Sequence, residues 1–172
     1  MERLWTPWRY DYVSSVGKVS GCVLCHVVEG GTQDDAENLV LFRAALNYVI
    51  INKYPYSNGH LMVAPFRHVA NLAAADAEQV GEMMRLAQAC ETILGEAYAP
   101  EGFNIGMNIG RAAGAGVHEH HHLHIVPRWT GDASFMSATA DTRVIPETPQ
   151  GTYERLRPLF ERHFSSPEPE RD

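Results

Sequence analysis

With 172 residues, 45% of them hydrophobic and 20% charged, the chain has the composition of one globular domain large enough to bury a core. A formal net charge of −7 argues against a nucleic-acid partner, because a phosphate footprint needs clustered Lys and Arg; a bound nucleotide would need local donors instead. No signal peptide and no long apolar run is visible, and the three cysteines suit a reducing compartment, so a soluble, cytoplasmic protein without a membrane partner is expected.

Residues 1–20 read as an ordered but irregular arm, since Leu4-Trp5-Thr6-Pro7-Trp8-Arg9-Tyr10 is too aromatic for a solvated tail. Packing of this arm over the domain is favoured over a ligand role. Cys22-Val23-Leu24-Cys25 is a Cys-x-x-Cys pair: a redox motif, a metal half-site or a chance pairing. It lacks a thioredoxin-like βαβ context, and a tetrahedral zinc site would need two more ligands.

Asn38 to Arg43 and Asn47 to Asn52 are short apolar runs that predict an antiparallel pair of strands. A turn rich in Pro, Asn and Gly follows, then His60-Leu61-Met62-Val63-Ala64-Pro65 as the next strand. Asp76 resembles a helix N-cap with Gln79 at the third helical position. Val80, Met83, Met84, Ala87, Cys90 or Glu91, and Leu94 then keep helical spacing up to Tyr98-Ala99-Pro100. The Met pair is expected in the core, and Cys90 as a buried, inert thiol. Phe103 to Ile109 alternates as a strand. Gly106, Gly110, Gly114 and Gly116 would let backbone approach a ligand closely, as a phosphate-cradling loop requires, although a plain turn would look the same.

Five of the nine histidines then fall within His118–His124. As a strand, this stretch would align His118, His120, His122, His124 and Val126 on one face, and Glu119, His121, Leu123 and Ile125 on the other, with Pro127 marking its end. A face of imidazoles is costly to bury unless the rings are hydrogen-bonded or bound to something. A purification tag is excluded, because the run is internal, interrupted by Leu123 and enclosed by apolar residues. A His-rich metal tract, a His-x-His metal site and a catalytic strand with one imidazole as nucleophile remain, the last being favoured.

Past Phe135 the signals weaken. Val144-Ile145-Pro146 reads as a short edge strand and Thr152 to His163 as a C-terminal helix. Residues 165–172 have the composition of a disordered tail. The expected organisation is an arm at 1–20, one domain at 21–164 and that tail. The fold class is α+β: an antiparallel sheet of about five strands, one long helix and a shorter C-terminal helix, with the helices on one side.

His120-His121-His122-Leu123-His124-Ile125-Val126 resembles the His-x-His-x-His-x-x signature of the histidine triad (HIT) family, whose x positions are normally apolar. His121 departs from that pattern. Asn108-Ile109-Gly110, Ala113-Gly114 and Pro127-Arg128 stand at similar spacing, and the resemblance runs from about Cys22 to Trp129. The Trp5-Thr6-Pro7-Trp8-Arg9 opening and Trp129-Thr130-Gly131-Asp132-Ala133-Ser134-Phe135 resemble its diadenosine tetraphosphate phosphorylase-like branch.

The resemblance implies a homodimer that cleaves dinucleoside polyphosphates by nucleotidyl transfer, with His122 as nucleophile and His120, His124 and His60 as donors around the phosphate. Asn52, eight residues before His60, would contact ribose. Asn108 and the backbone of Gly114, Ala115 and Gly116 would bind the transferring group. Cys22 and Cys25 would be completed by His68 and His120 as a structural zinc site, while the chemical step itself would use no cofactor. Five residues separate Gly114 from His120, where hydrolytic branches often have four beginning with Gln, and Ala115-Gly116 replaces the Gly-Ser of phosphorylase-like members. The acceptor, water or phosphate, stays open. So do a phosphoramidate hydrolase of the same family, a metal-dependent hydrolase and a non-catalytic zinc- or nucleotide-binding module. His26, His118 and His121 have no assigned role.

Overall fold

The computed structural model describes residues 21–132 and 147–165; the aromatic arm, the segment around Val144-Ile145-Pro146 and the final seven residues lie outside them. Within the described chain, helices α1 (Val23–Glu29) and α2 (Asp35–Asn38) precede strands β1 (Val40–Arg43), β2 (Asn47–Ile51) and β3 (Leu61–Pro65). Helix α3 (Ala77–Tyr98), strands β4 (Gly102–Gly106) and β5 (Leu123–Arg128), and helix α4 (Pro149–Ser165) complete it. The five strands form one antiparallel sheet in the order β1-β2-β3-β5-β4. This is the α+β architecture expected. No helix among the described residues is long and apolar enough to cross a membrane.

β2 explains why its sequence is an unbroken apolar run. All five residues are buried, because both faces of the sheet are covered. Val49 and Ile51 meet Met83, Leu86, Cys90 and Ile93 of α3 and Leu156 and Phe160 of α4. Tyr48 and Ile50 face the other way, against Leu24 of α1, and the Tyr48 hydroxyl donates to the Leu24 carbonyl at 2.6 Å. The helices are therefore not confined to one side, as their order suggested: α1 covers the second face and carries Cys25 with it. Cys90 is fully buried and its thiol is pushed up by burial, as an inert core group should be.

Several local expectations shift. Asn38 closes α2 rather than opening β1, and Leu39 adopts φ 62° as the C-cap between them. Asp76 precedes α3 but makes no side-chain capping bond; its carboxylate pairs with Arg67 at 2.8 Å instead. Gln79 is buried, Met83 lies in the core, and Met84 is 49% exposed, so the methionine pair straddles the helix face. β4 stops at Gly106 rather than Ile109. Gly59, at φ 68°, lets the turn before β3 pass close to α3, where a Cβ would stand 2.9 Å from Leu94 and from Tyr98.

Arg43 fastens α1 and α2 to the sheet. Its guanidinium grips Asp35 through Nη2 (2.7 Å) and Nε (2.9 Å), and donates to the carbonyls of Val28 and Gly31 at 3.1 and 3.0 Å. Asp35 is 5% exposed, so removing the arginine leaves a buried carboxylate unpaired. Arg43→Met should cost about 3 kcal/mol of unfolding free energy in urea titrations. A loss below about 0.5 kcal/mol, the size of an ordinary surface change, would contradict this account of the anchor.

Candidate active site and metal centre

The histidine run is not one strand. β5 begins at Leu123, and residues 117–122 form a loop leading into it. Pro127 does not end the strand, which continues to Arg128; β3 pairs with β5 only as far as Ile125, so no bond from the β3 side is demanded of the proline. The single imidazole face divides accordingly. His122 and His124 stand together with ring centroids 4.8 Å apart, His120 turns toward α1, and His118 accepts a hydrogen bond from Arg111 Nε at 3.0 Å.

Hydrogen bonds fix the tautomers. His122 Nδ1 lies 3.0 Å from the carbonyl of His120, which can only accept, so Nδ1 carries the proton and Nε2 keeps a lone pair. His60 Nδ1 accepts from the backbone N–H of Tyr56 at 3.0 Å. Its Nε2–H therefore donates to His124 Nδ1, also at 3.0 Å, and the His124 proton sits on Nε2. One imidazole thus offers a lone pair and its neighbour a proton, without either being charged.

Burial maintains that neutrality. It pushes His60 down to about 3 and His124 to about 4, with the neighbouring imidazoles adding to the effect. His122 is lowered by burial, against the opposing influence of its bond to the His120 carbonyl. His60 has no exposed surface, so it acts on His124 and not directly on a ligand. The Asn52 amide is engaged locally, with Oδ1 accepting from Tyr54 N–H at 2.9 Å and Nδ2 lying 3.3 Å from His60 Nδ1. The sequence places Tyr56 only in the turn that precedes β3. Its ring lies 4.8 Å from that of His60 and 6.0 Å from that of His124. An aromatic residue four positions before His60 was the available signal.

His120 belongs to a second cluster. Its Nδ1 faces Cys22 Sγ at 3.3 Å and Cys25 Sγ at 3.5 Å, while Nε2–H donates to the Pro65 carbonyl at 2.9 Å. His68 Nδ1 is 3.3 Å from Cys25 Sγ. The four ligand atoms lie within 4.8 Å of one another, and the Pro65 bond leaves the His120 lone pair pointing at the thiols. Two thiols and two imidazoles at this spacing suit a tetrahedral cation. Burial and the adjacent Cys22 push the Cys25 thiol up to about 11, a balance that a cation between the sulfurs would reverse. With both ring nitrogens engaged there, the His120 side chain is withdrawn from the donor role expected beside the phosphate; its carbonyl faces His122 instead.

Between β4 and this loop, Asn108 is half-buried, and Gly110 and Gly114 bracket the turn Arg111–Ala113 at φ 81° and 84°. Among the described residues nothing lies within 4 Å of a Cβ built on either glycine, so they leave that side of the loop open. Ala115 is half-buried and Gly116 exposed. Arg128 lies four residues beyond His124, roughly 13 Å along the strand. It is held by Asp132 at 2.5 and 2.9 Å and by Asn104 at 2.6 Å, so it is not a free cation beside the histidines. His26 is exposed and pairs with Glu29.

The molecule is thus an α+β domain in which an interior strand, β5, opens on neutral histidines beside a Cys/His cluster. A family model described as the HIT domain matches residues 33–131. The chain is 37% identical over 152 residues to the AP-4-A phosphorylase of Mycobacterium tuberculosis, covering 86% of this chain and 78% of that protein. It is 30% identical over 107 residues to the adenosine 5′-monophosphoramidase of Schizosaccharomyces pombe, covering 62% and 74% of the two chains. Among solved structures, a Zn-bound histidine triad family protein from Mycobacterium smegmatis aligns with a TM-score of 0.68 at 30% identity, over 84% of this chain and 96% of that one. The chain belongs to the histidine triad family, and it is a nucleotide hydrolase or transferase of that family.

The depressed histidines make a pH prediction. Folded His60 and His124 stay neutral down to about 3 and 4, whereas in the unfolded chain they take up protons below about 6.5. Their contribution to stability is thus complete above pH 6.5 and is lost as pH falls from there toward 4 and 3. Unfolding free energies measured across this window should fall less steeply for His124→Asn than for wild type. Identical acid limbs would show that His124 is not held neutral.

Proposed function

We propose that the protein cleaves dinucleoside polyphosphates by nucleotidyl transfer through His122. The observation that carries this is the bond from His122 Nδ1 to the His120 carbonyl, which leaves Nε2 as a buried, neutral nucleophile. The Nε2 lone pair attacks the α-phosphorus, and the bond to the leaving polyphosphate oxygen breaks. That oxygen leaves as an anion and accepts a hydrogen bond from His124 Nε2–H, whose Nδ1 in turn accepts from His60; the proton stays on His124. Asn108 and the amides around Gly114, Ala115 and Gly116 would stabilise charge on the transferring group. An acceptor then attacks phosphorus, losing its proton to solvent, and the bond to His122 Nε2 breaks and returns that nitrogen's lone pair. Asn52 would serve ribose by releasing its present contacts.

The dinucleotide substrate is supported by 37% identity to a protein named AP-4-A phosphorylase over most of both chains. Hydrolysis of nucleoside phosphoramidates would use the same nucleophile, and the 30% identity to a monophosphoramidase favours it as the second reading. Zinc at Cys22, Cys25, His68 and His120 would be structural, since protein ligands supply every position; it would cross-link α1, the His68 segment and the triad loop. The outer edge of β4, where Ile105 is 41% exposed, supports pairing with a second copy.

Labelled diadenosine tetraphosphate, supplied with and without inorganic phosphate, tests the chemistry. ADP with ATP, formed when phosphate is present, indicates phosphorolysis; AMP with ATP, indifferent to phosphate, indicates hydrolysis. His122→Asn should lose activity by at least about a thousandfold and trap no label after denaturation. Near-normal turnover in that variant would refute the nucleophile. Preference for an adenosine phosphoramidate over every dinucleotide would replace the substrate.

A further inference from the structure

His121 is a buried side chain of the triad region that neither site uses. It stands between His120, in the Cys/His cluster, and His122, beside His124, and it is 1% exposed. Two of its donors converge on one acceptor: the backbone N–H reaches the Val69 carbonyl at 2.8 Å and the ring Nδ1 reaches the same oxygen at 3.1 Å. The proton is therefore on Nδ1, and Nε2 accepts from the Gln79 side-chain amide at 3.4 Å. Gln79 lies in the first turn of α3, 3% exposed, and its own backbone carbonyl accepts from Asn47 Nδ2 at 3.0 Å. Val69 directly follows His68, whose ring centroid is 5.1 Å from that of His120.

The arrangement joins three separate segments. An apolar side chain at position 121 would fill the same space and keep the backbone bond, but it would lose the ring bond to Val69 and the contact with Gln79. We propose that His121 is a positioning residue: it pins the His68–Val69 segment to the triad loop, so that His68 and His120 meet at the metal centre and the His120 carbonyl stays in register with His122. This rests on reading Cys22, Cys25, His68 and His120 as metal ligands. His68 needs such an anchor because its own ring is exposed and its segment belongs to no helix or strand. Hydrogen bonds that hold the backbone beside a ligand fix that ligand's orientation before the ion arrives and so set metal affinity.

The test is zinc affinity, measured by competition with a chromophoric chelator on the full-length protein, beside kcat and KM. His121→Leu should bind zinc about tenfold more weakly, with kcat reduced and KM little changed. His121→Asn, whose amide can occupy the place of Nδ1, should recover affinity to within about threefold of wild type, a rescue that space-filling alone would not give. If His121→Leu fails to fold, Gln79→Leu removes the second contact alone and should weaken zinc binding in the same direction. Folded variants with wild-type zinc affinity and kcat would overturn the proposal. So would equal losses in His121→Leu and His121→Asn. Wild-type protein that binds no zinc would overturn the metal reading itself, an outcome visible before any variant is compared.

Discussion

The hydrogen bond from His122 Nδ1 to the His120 carbonyl, 3.0 Å long, decides which nitrogen of the central imidazole can act, and much of the surrounding structure serves to keep it. Leaving Nδ1 unsatisfied at a buried position would cost about 2 kcal/mol, which corresponds to a factor of about 30 in tautomer population. That carbonyl is held still by the side chain of its own residue. The His120 ring is fixed by the Pro65 carbonyl on one nitrogen and faces the cysteines on the other. Pro65 ends β3, whose central residues are paired on both sides, so the chain of constraint runs from the sheet interior to the reactive nitrogen.

His124 is set by a separate chain. The Tyr56 backbone N–H orients His60, and His60 orients His124. Because His60 is fully buried, its tautomer is insulated from solvent, and burial rather than charge is what keeps the pair neutral. Two independent tautomer chains, ending in a lone pair and an N–H donor on neighbouring rings, suit a reaction that must attack phosphorus and hydrogen-bond the oxygen that leaves.

Much of this could be read from the residues, and the exceptions have physical causes. β2, β3 and α3 were legible because two-sided burial and helical spacing each leave a pattern that local side-chain contacts do not disturb. The start of β5 was not legible. Period-two alternation among His118–His124 is genuine, but the His120 ring is drawn to Cys22 and Cys25, 98 and 95 residues away in sequence, while its carbonyl faces His122. The Cys/His set was accessible through family resemblance and not through spacing, since His68 and His120 lie far from Cys22 and from each other. Asp76 lost its capping role to Arg67, and Met84 faces outward, for the same reason: tertiary partners and helix phase outweigh a one-turn signal. Whether α1 would cover the second face depended on Leu24 meeting Tyr48, which no local pattern encodes.

The tautomers themselves are the most direct point of test. Two-bond ¹H–¹⁵N correlation spectra of histidine-labelled protein near neutral pH distinguish the protonated from the lone-pair nitrogen in each ring. The account predicts that His122 is protonated on Nδ1 with a pyridine-like Nε2, and that His124 and His60 are protonated on Nε2. A His122 ring protonated on Nε2, or a charged imidazolium at that position, would contradict it.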